Sequence, residues 1–532
     1  PSAAPAGCCF PGCLAARHSA AGWSFGGFRQ GDRQGDRQGD RRSMITLAQA
    51  FQAAGGRWLK NPLPDTTPLQ GGAFDTRRLG QAHIFFALKG EAADGHDHLG
   101  RLTGSAVRLA VVHRENLPPG FLEGFGGAVM LVEDTLRALG LLGRAMVDKY
   151  RPRVVAVTGS YGKTTAKEVI SHVLAGQHRV LKTPGSLNNE IGLPITLLDL
   201  DGSQDTAVLE FAARHVGDID LLGAIAPPDV AVLMNVGRAH IGVFGSQEAI
   251  YRAKGEIFNH LRPGGLAVVL AEDAKLALLA YQAPLDLPPR VATFGLETGD
   301  YQACGVTRDP LGCQRFTGVH GTARLDFVTA IPGPHGLYPI LAAWAVAREL
   351  GVADEETARR AAVHPQQKGR AQLKRTPMGA LLVDDTYNAS PETVVNLIRT
   401  LEGMEGTNRV LVLGHLSEQD DWEAQALETI GASLKPPITL CLVHDPAAPQ
   451  TADRLEDAVQ RAGSSCRVEG HPDFDDLLAA LRKLDRAGTL IGIKGSRSAH
   501  LERVVLALEG RLVQCPKPSC GLLIHCADCH RL

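Results

Sequence analysis

Eight consecutive residues, Thr158-Gly159-Ser160-Tyr161-Gly162-Lys163-Thr164-Thr165, have the make-up of a turn that holds phosphate. Gly159 and Gly162 carry no Cβ, so backbone N–H groups can close around phosphate oxygens. Lys163 adds a point charge, and the Thr164 hydroxyl can bind Mg²⁺. The strict phosphate-loop pattern has a glycine where this chain has Val157. Such a turn works only between a strand and a helix. The apolar run Val154-Val155-Ala156-Val157 predicts a buried strand before it, and Ala166–Leu174 predicts a helix after it. The helix would aim the positive end of its dipole at the anion.

Two more apolar strands end in polar groups. Thr206-Ala207-Val208-Leu209 ends in Glu210, and Val230–Leu233 continues through Asn235 to His240. Ligands of open α/β sheets bind beyond the carboxyl ends of the strands, so these residues and the phosphate turn should surround one crevice. Between them lies the turn-rich stretch Thr183-Pro184-Gly185-Ser186-Leu187-Asn188-Asn189-Glu190. Its adjacent amides suit hydrogen bonds to a phosphate or substrate, although Asn pairs are common in turns. Lys254, in Arg252-Ala253-Lys254-Gly255-Glu256-Ile257, sits on a predicted helix and reads on its own as a solvated lysine. Further on, Leu381-Leu382-Val383 ends in Asp384-Asp385, and Thr489–Ile493 runs into Lys494-Gly495-Ser496-Arg497. Basic residues there suit an anionic substrate or a surface turn.

The elements that must position these residues alternate strand and helix, which predicts an α/β chain with parallel sheets. The 532 residues divide, on this reading, into a leader 1–43, a small α/β domain 44–151, a central phosphate-loop domain 152–368, a Rossmann-like domain 369–512 and a tail 513–532. Phe74–Arg77 and Ile84–Glu91 read as short strands of the first domain, and Val132–Tyr150 as the helix that leads out of it. With 55 basic and 57 acidic residues the formal charge is −2, which gives no electrostatic case for nucleic acid. No apolar run reaches the length that spans a bilayer.

The leader contains the repeat Gly-Asp-Arg-Gln from Gly31 to Arg41 and predicts disorder, with Met44 as the expected true start. Most of the 11 cysteines lie near the two ends of the chain. A chain of this length and class does not need a disulfide framework, which suggests a reducing cytoplasm. Cys515, Cys520, Cys526 and Cys529, with His525 and His530 nearby, could bind Zn²⁺, although their spacing is not a usual zinc pattern.

Taken together, the motifs resemble the Mur ligases, the ATP-dependent amide ligases of peptidoglycan assembly, over about residues 44–510. Thr158–Thr165 is similar to the family's ATP loop, with Tyr161 where Asn is usual, and Ala253-Lys254-Gly255-Glu256-Ile257 to the segment whose lysine is carbamylated. Asp384-Asp385-Thr386-Tyr387-Asn388-Ala389-Ser390-Pro391 and Thr183–Gly192 resemble the branch that adds D-Ala-D-Ala to UDP-N-acetylmuramoyl-tripeptide.

That resemblance implies a reaction and a set of roles. ATP would phosphorylate the tripeptide carboxylate, and the dipeptide amine would attack the acyl phosphate. Thr158, Gly159, Ser160, Gly162, Lys163, Thr164 and Thr165 would hold ATP, and Asn188 or Asn189 would orient its phosphates. Thr164 and Glu210 would bind Mg²⁺, with His240 and carbamylated Lys254 supporting a second ion. Asp385 would hold the ribose and Arg370 the nucleotide, with His335 also on the nucleotide side. Asp75, Thr76, Arg77, Lys89 and Gly90 would meet the UDP-sugar; Tyr387, Asn388, Lys494 and Arg497 would lie near the incoming peptide. The expected protein is a cytoplasmic monomer whose domains close to assemble the site.

Two departures stand out. His335-Gly336-Leu337-Tyr338-Pro339 replaces the family's His-Asn-x-x-Asn, and the second Asn normally touches adenine. Losing that bond would cost about 1–3 kcal/mol of affinity. His415 follows Gly414 where this branch usually has an acidic residue. The alternatives are a ligase of the same fold with another amino-acid acceptor and a weakly active paralogue.

Overall fold

The computed structural model describes residues 44–91, 93–238, 241–310, 312–416, 422–515 and 525–529, so the leader lies outside the described residues. The chain forms three α/β layers in sequence. The first holds a five-stranded sheet in the order Arg57–Lys60, Ala128–Leu131, Leu109–Val112, Ile84–Phe86, Gly72–Ala73. Its pairs are parallel except at the Arg57–Lys60 edge. The long exit helix Thr135–Tyr150 is capped by the Asp134 carboxylate, which accepts from the N–H groups of Leu136 and Arg137. Phe74–Arg77, expected as a strand, is a turn. Asp75 Oδ1 accepts the Arg77 N–H at 2.9 Å, and this local bond competes with sheet pairing.

The central sheet has nine strands. Arg153–Thr158 lies between Thr206–Glu210 and Val230–Leu233, all parallel. The chain leaves Arg153–Thr158 for the edge strand Val180–Lys182 and returns through Thr206–Glu210. It then crosses to the other flank of Arg153–Thr158. This reversal opens a crevice at the carboxyl ends of the three strands, where Thr158, Glu210 and the residues after Leu233 emerge. Val154, Val155, Ala156 and Val157 are fully buried, as strands covered on both faces require. Beyond Arg290–Gly295 the sheet continues through Tyr301–Arg308 into the antiparallel strands Gln314–His320 and Ala323–Thr329. That extension has no counterpart in the sequence reading.

The third sheet has six strands, parallel apart from its Gln372–Arg375 edge. Its last strand, Thr489–Lys494, inserts between Leu381–Asp385 and Asn408–Gly414. Insertion puts Asp385 and Lys494 opposite each other in register. Among the described residues no helix is long and apolar enough to cross a membrane.

Candidate active site

The phosphate turn follows its strand as the sequence indicates. Gly162 has φ 76° and ψ −5°, a left-handed position that suits glycine, and it caps the helix Lys163–Leu174. At Gly159 a Cβ would lie 3.1 Å from Met234 Cβ and 3.3 Å from the backbone of Asn235. The turn therefore packs directly on the neighbouring strand's exit. Thr158 Oγ1 donates to the Phe211 carbonyl at 2.7 Å, and Lys163 Nζ donates to the Gly159 and Ser160 carbonyls at 2.7 and 3.2 Å. Burial holds the Lys163 ammonium below its usual range, with Glu210 pulling the other way.

Asn235 grips this turn, a role the sequence did not reveal. Its Oδ1 accepts the Ser160 and Tyr161 N–H groups at 3.1 and 3.0 Å, and its Nδ2 donates to the Tyr161 carbonyl at 2.9 Å. The only available signal was an amide two residues past a strand end. Asn235→Ala removes the partner of the part-buried Tyr161 N–H and carbonyl, while the Ser160 N–H keeps the Asn235 main-chain carbonyl at 3.1 Å; the loss costs about 1–3 kcal/mol. ATP binding should weaken roughly tenfold or more, as calorimetry would measure; an unchanged Kd would remove Asn235 from this role.

Glu210 is buried and accepts from Asn188 Nδ2 at 2.8 Å through Oε1. Its Oε2 has no hydrogen-bond donor among the described residues, and Lys167 Nζ lies 3.8 Å away. Lys167, which the sequence reading passed over, is fully buried and ties the helix to the Asn-rich loop through the Thr183 and Gly185 carbonyls. Asn189 turns the other way: its Oδ1 accepts the Gly192 N–H at 2.9 Å at the start of the helix Gly192–Leu197.

Lys254, which its local sequence alone left as solvated and the family resemblance placed in the site, is 2 % exposed on the helix Gln247–Gly255. Burial, helped by the nearby Lys163 charge, pushes its pKa down to about 7. Lys254 lies on the inward face of this helix with Ala249, Ile250 and Ala253, whereas Gln247, Glu248 and Arg252 face solvent. His240 lies outside the described residues.

The third domain reaches this crevice. Arg370 Nη2 donates to Thr164 Oγ1 at 3.2 Å, and the guanidinium sits 4.0 Å from the Tyr387 ring centre. Arg497 lies over the same ring at 5.5 Å. Glu392, in the first turn of the helix Pro391–Glu402, accepts the Arg238 N–H at 2.9 Å. Asp385 Oδ1 accepts the Ala371 N–H at 3.2 Å, and Oδ2 pairs with Lys494 Nζ at 2.5 Å. Lys494 also donates to the Asn388 carbonyl at 2.8 Å and is 2 % exposed. His335 is close enough to feel the charges of Asp385 and Lys494, and burial holds its pKa below the usual value. Pro339 is in the first turn of the helix Leu337–Glu349, where a missing N–H leaves no helical bond unmade.

The first-domain residues stand apart from this crevice. Asp75 forms an ion pair with Arg77 at 2.8 Å, with the Arg77 side chain 79 % exposed. Thr76 is half-buried beside that pair, and Lys89 and Gly90 are exposed on the turn closed by the Gly90 to Ala93 backbone bond.

Comparison with known proteins agrees with this arrangement. Residues 157–347 match the Mur ligase middle domain, and residues 369–497 match the Mur ligase, glutamate ligase domain. The UDP-N-acetylmuramoyl-tripeptide--D-alanyl-D-alanine ligase of Bacillus subtilis is 36% identical over 454 residues, 84% of this chain and 94% of that protein. The Escherichia coli enzyme of the same name is 30% identical, covering 82% of this chain and 92% of its own length. Among solved structures, MurF from Acinetobacter baumannii has a TM-score of 0.77 at 30% identity, covering 88% of this chain and 99% of that one. The MurF ligase of Thermotoga maritima, in complex with ADP, has a TM-score of 0.73 at 28% identity, covering 83% and 97%. Three α/β layers in this order, a phosphate turn at the central switch point and relatives that align over nearly their whole length have one reading: the chain belongs to the Mur ligase family.

Proposed function

We propose that the chain is an ATP-dependent amide ligase that joins D-Ala-D-Ala to UDP-N-acetylmuramoyl-tripeptide in peptidoglycan precursor synthesis. The observation that carries this reading is the Arg370 to Thr164 bond, which brings the third domain onto the phosphate turn. The relatives aligned over most of the chain carry that activity in their names. Residues 44–151 would take the UDP-sugar through Asp75, Thr76, Arg77, Lys89 and Gly90. Residues 152–368 would take ATP, and residues 369–512 would deliver the dipeptide.

In this mechanism Lys163 and the turn N–H groups other than those of Ser160 and Tyr161, which Asn235 takes to keep the turn in shape, hold the ATP phosphates. Arg370 lies where it can meet the nucleotide's charge. The tripeptide carboxylate attacks the γ-phosphorus, and ADP leaves with the bridging oxygen. The dipeptide amine then attacks the acyl carbon, and inorganic phosphate leaves as the amide forms. Such transfers depend on positioning and charge neutralisation. Asp385, held by the Ala371 N–H and Lys494, would meet a ribose hydroxyl.

Oxygen donors suit a hard cation, and the buried Glu210 Oε2 without a donor fits Mg²⁺ with Thr164 Oγ1 as a second ligand. The ion would neutralise charge on the phosphates. A cytoplasmic location and a monomeric state belong to the same proposal. The decisive experiment is phosphate release from ATP with UDP-N-acetylmuramoyl-tripeptide, with and without D-Ala-D-Ala. Release that needs both supports the reading; release with another acceptor, or none at all, overturns it.

Lys254 adds a pH prediction. Carbamylation needs the neutral amine, and with a pKa of about 7 much of Lys254 is neutral at neutral pH. Acid below that value protonates it and suppresses the carbamate. Activity should therefore fall as pH drops below about 7 and recover in part with added bicarbonate. A rate indifferent to bicarbonate in degassed buffer would remove the carbamate from the scheme.

A further inference from the structure

The tail returns to the third domain and places a thiol against two buried side chains that the ligase reaction leaves unused. His500, Glu502 and Cys526 are 3, 0 and 8 % exposed. One ligand atom from each lies within 4.8 Å of the others. His500 Nδ1 is 3.5 Å from Cys526 Sγ and 3.3 Å from Glu502 Oε1. A tetrahedral ion with bonds of about 2.0–2.3 Å has ligand–ligand edges of about 3.3–3.8 Å; the His500–Glu502 and His500–Cys526 spacings fall in that range, and the Glu502–Cys526 pair lies within 4.8 Å. Glu502 Oε1 also accepts the Cys526 N–H at 3.2 Å and lies 3.5 Å from Arg497 Nη1. Glu502 Oε2, in contrast, is buried with no hydrogen-bond donor among the described residues. A buried carboxylate oxygen with no donor is what a bound cation would satisfy.

We propose that His500, Glu502 and Cys526 form a structural zinc site that clasps the tail to the third domain. Mixed sulfur, nitrogen and oxygen donors select Zn²⁺ over Mg²⁺ or Ca²⁺. On binding, the Cys526 thiol gives its proton to solvent and its sulfur bonds the metal. Cys529 follows Cys526 at the Cys-x2-Cys spacing, and its N–H bonds the Cys526 carbonyl at 3.0 Å, which makes it a candidate thiol for a fourth position. This ligand set differs from a four-cysteine tail knuckle, because two ligands come from the ligase domain. The clasp lies beside the loop that carries Arg497, and Asp528 adds an ion pair with Lys368 at 2.8 Å.

The test uses the full-length protein, purified without chelator, with zinc measured by elemental analysis and Co²⁺ exchanged in as a spectroscopic probe. The expected result is one zinc per chain and a thiolate-to-cobalt charge-transfer band. Cys526→Ser should lose the band and weaken zinc binding at least tenfold in competition with a chromophoric chelator. Cys515→Ser should keep both. Glu502→Gln should weaken zinc binding while keeping the band. Circular dichroism and thermal melts identify any variant that fails to fold; because Cys526 lies in the tail, its variant reports on the site with the ligase core intact. Wild-type protein that takes up no zinc from zinc-replete buffer would overturn the proposal. So would Cys526→Ser that binds zinc as tightly as wild type, since the ion would then sit on other thiols.

Discussion

Lys163→Ala is expected to lower ATP-dependent phosphate release by roughly 10²–10³-fold or more, the cost of removing one preorganised charge from a phosphoryl transfer. The reason lies in where the ammonium is held. Lys163 begins the helix behind Gly162, and its Nζ bonds the Gly159 and Ser160 carbonyls, so the charge stands over the turn that would cradle the phosphates. Because burial already disfavours the ammonium, an anionic partner is what restores it. Those same two bonds mean that the alanine variant also loosens the turn. Lys163→Met also lacks those bonds but keeps the packing of the stem, so it should lose as much turnover as Lys163→Ala while melting closer to wild type. Turnover within tenfold of wild type in either variant would overturn the phosphate-turn assignment.

Asp385→Ala is expected to destabilise the third domain strongly. Lys494 is 2 % exposed, and Asp385 is its partner at 2.5 Å. Removing the carboxylate leaves a buried ammonium held only by carbonyls, which costs about 3–5 kcal/mol. For a domain of this size that lowers Tm by roughly 10 °C or more. Lys494→Met should cost less, because Asp385 is partly exposed and keeps its bond from the Ala371 N–H. The double variant should recover most of the loss, since no unpaired charge remains. Burial already depresses the Lys494 pKa, and losing Asp385 depresses it further. Below its ordinary value of about 10.4 the unfolded lysine then binds more proton than the folded one, so Asp385→Ala should gain stability as pH rises. Thermal melts across pH check all four statements. A double variant no more stable than Asp385→Ala would show that the pair is not what holds the two strands' ends.

Much of the site was legible because its chemistry is local. The strand–turn–helix plan around Gly159, Gly162 and Lys163 is written in consecutive residues, and backbone sterics leave it few other shapes. Glu210 was legible as the acid that ends an apolar strand, and it is buried at that strand's end. Lys254 was placed in the site only by the family resemblance; its local sequence alone read as solvated, because helical periodicity identifies a face only relative to what packs on it, and that packing comes from other parts of the chain. Asn235 and Lys167 were missed for a related reason. Each acts on a backbone segment 16 to 75 residues away, and no spacing rule connects them.

By itself, then, the sequence determined the α/β class, the phosphate turn and the polar residues that close each strand, since those follow from short-range sterics and period. Tertiary structure alone decided which of them meet. Strand order sets Glu210 and Asn235 on either flank of the turn, and insertion of Thr489–Lys494 beside Leu381–Asp385 pairs residues 109 positions apart. The same holds for the contact of Arg370 with Thr164 and for the seating of Cys526 against His500. Each depends on how whole layers dock, and docking is governed by the burial of apolar faces contributed by the entire chain.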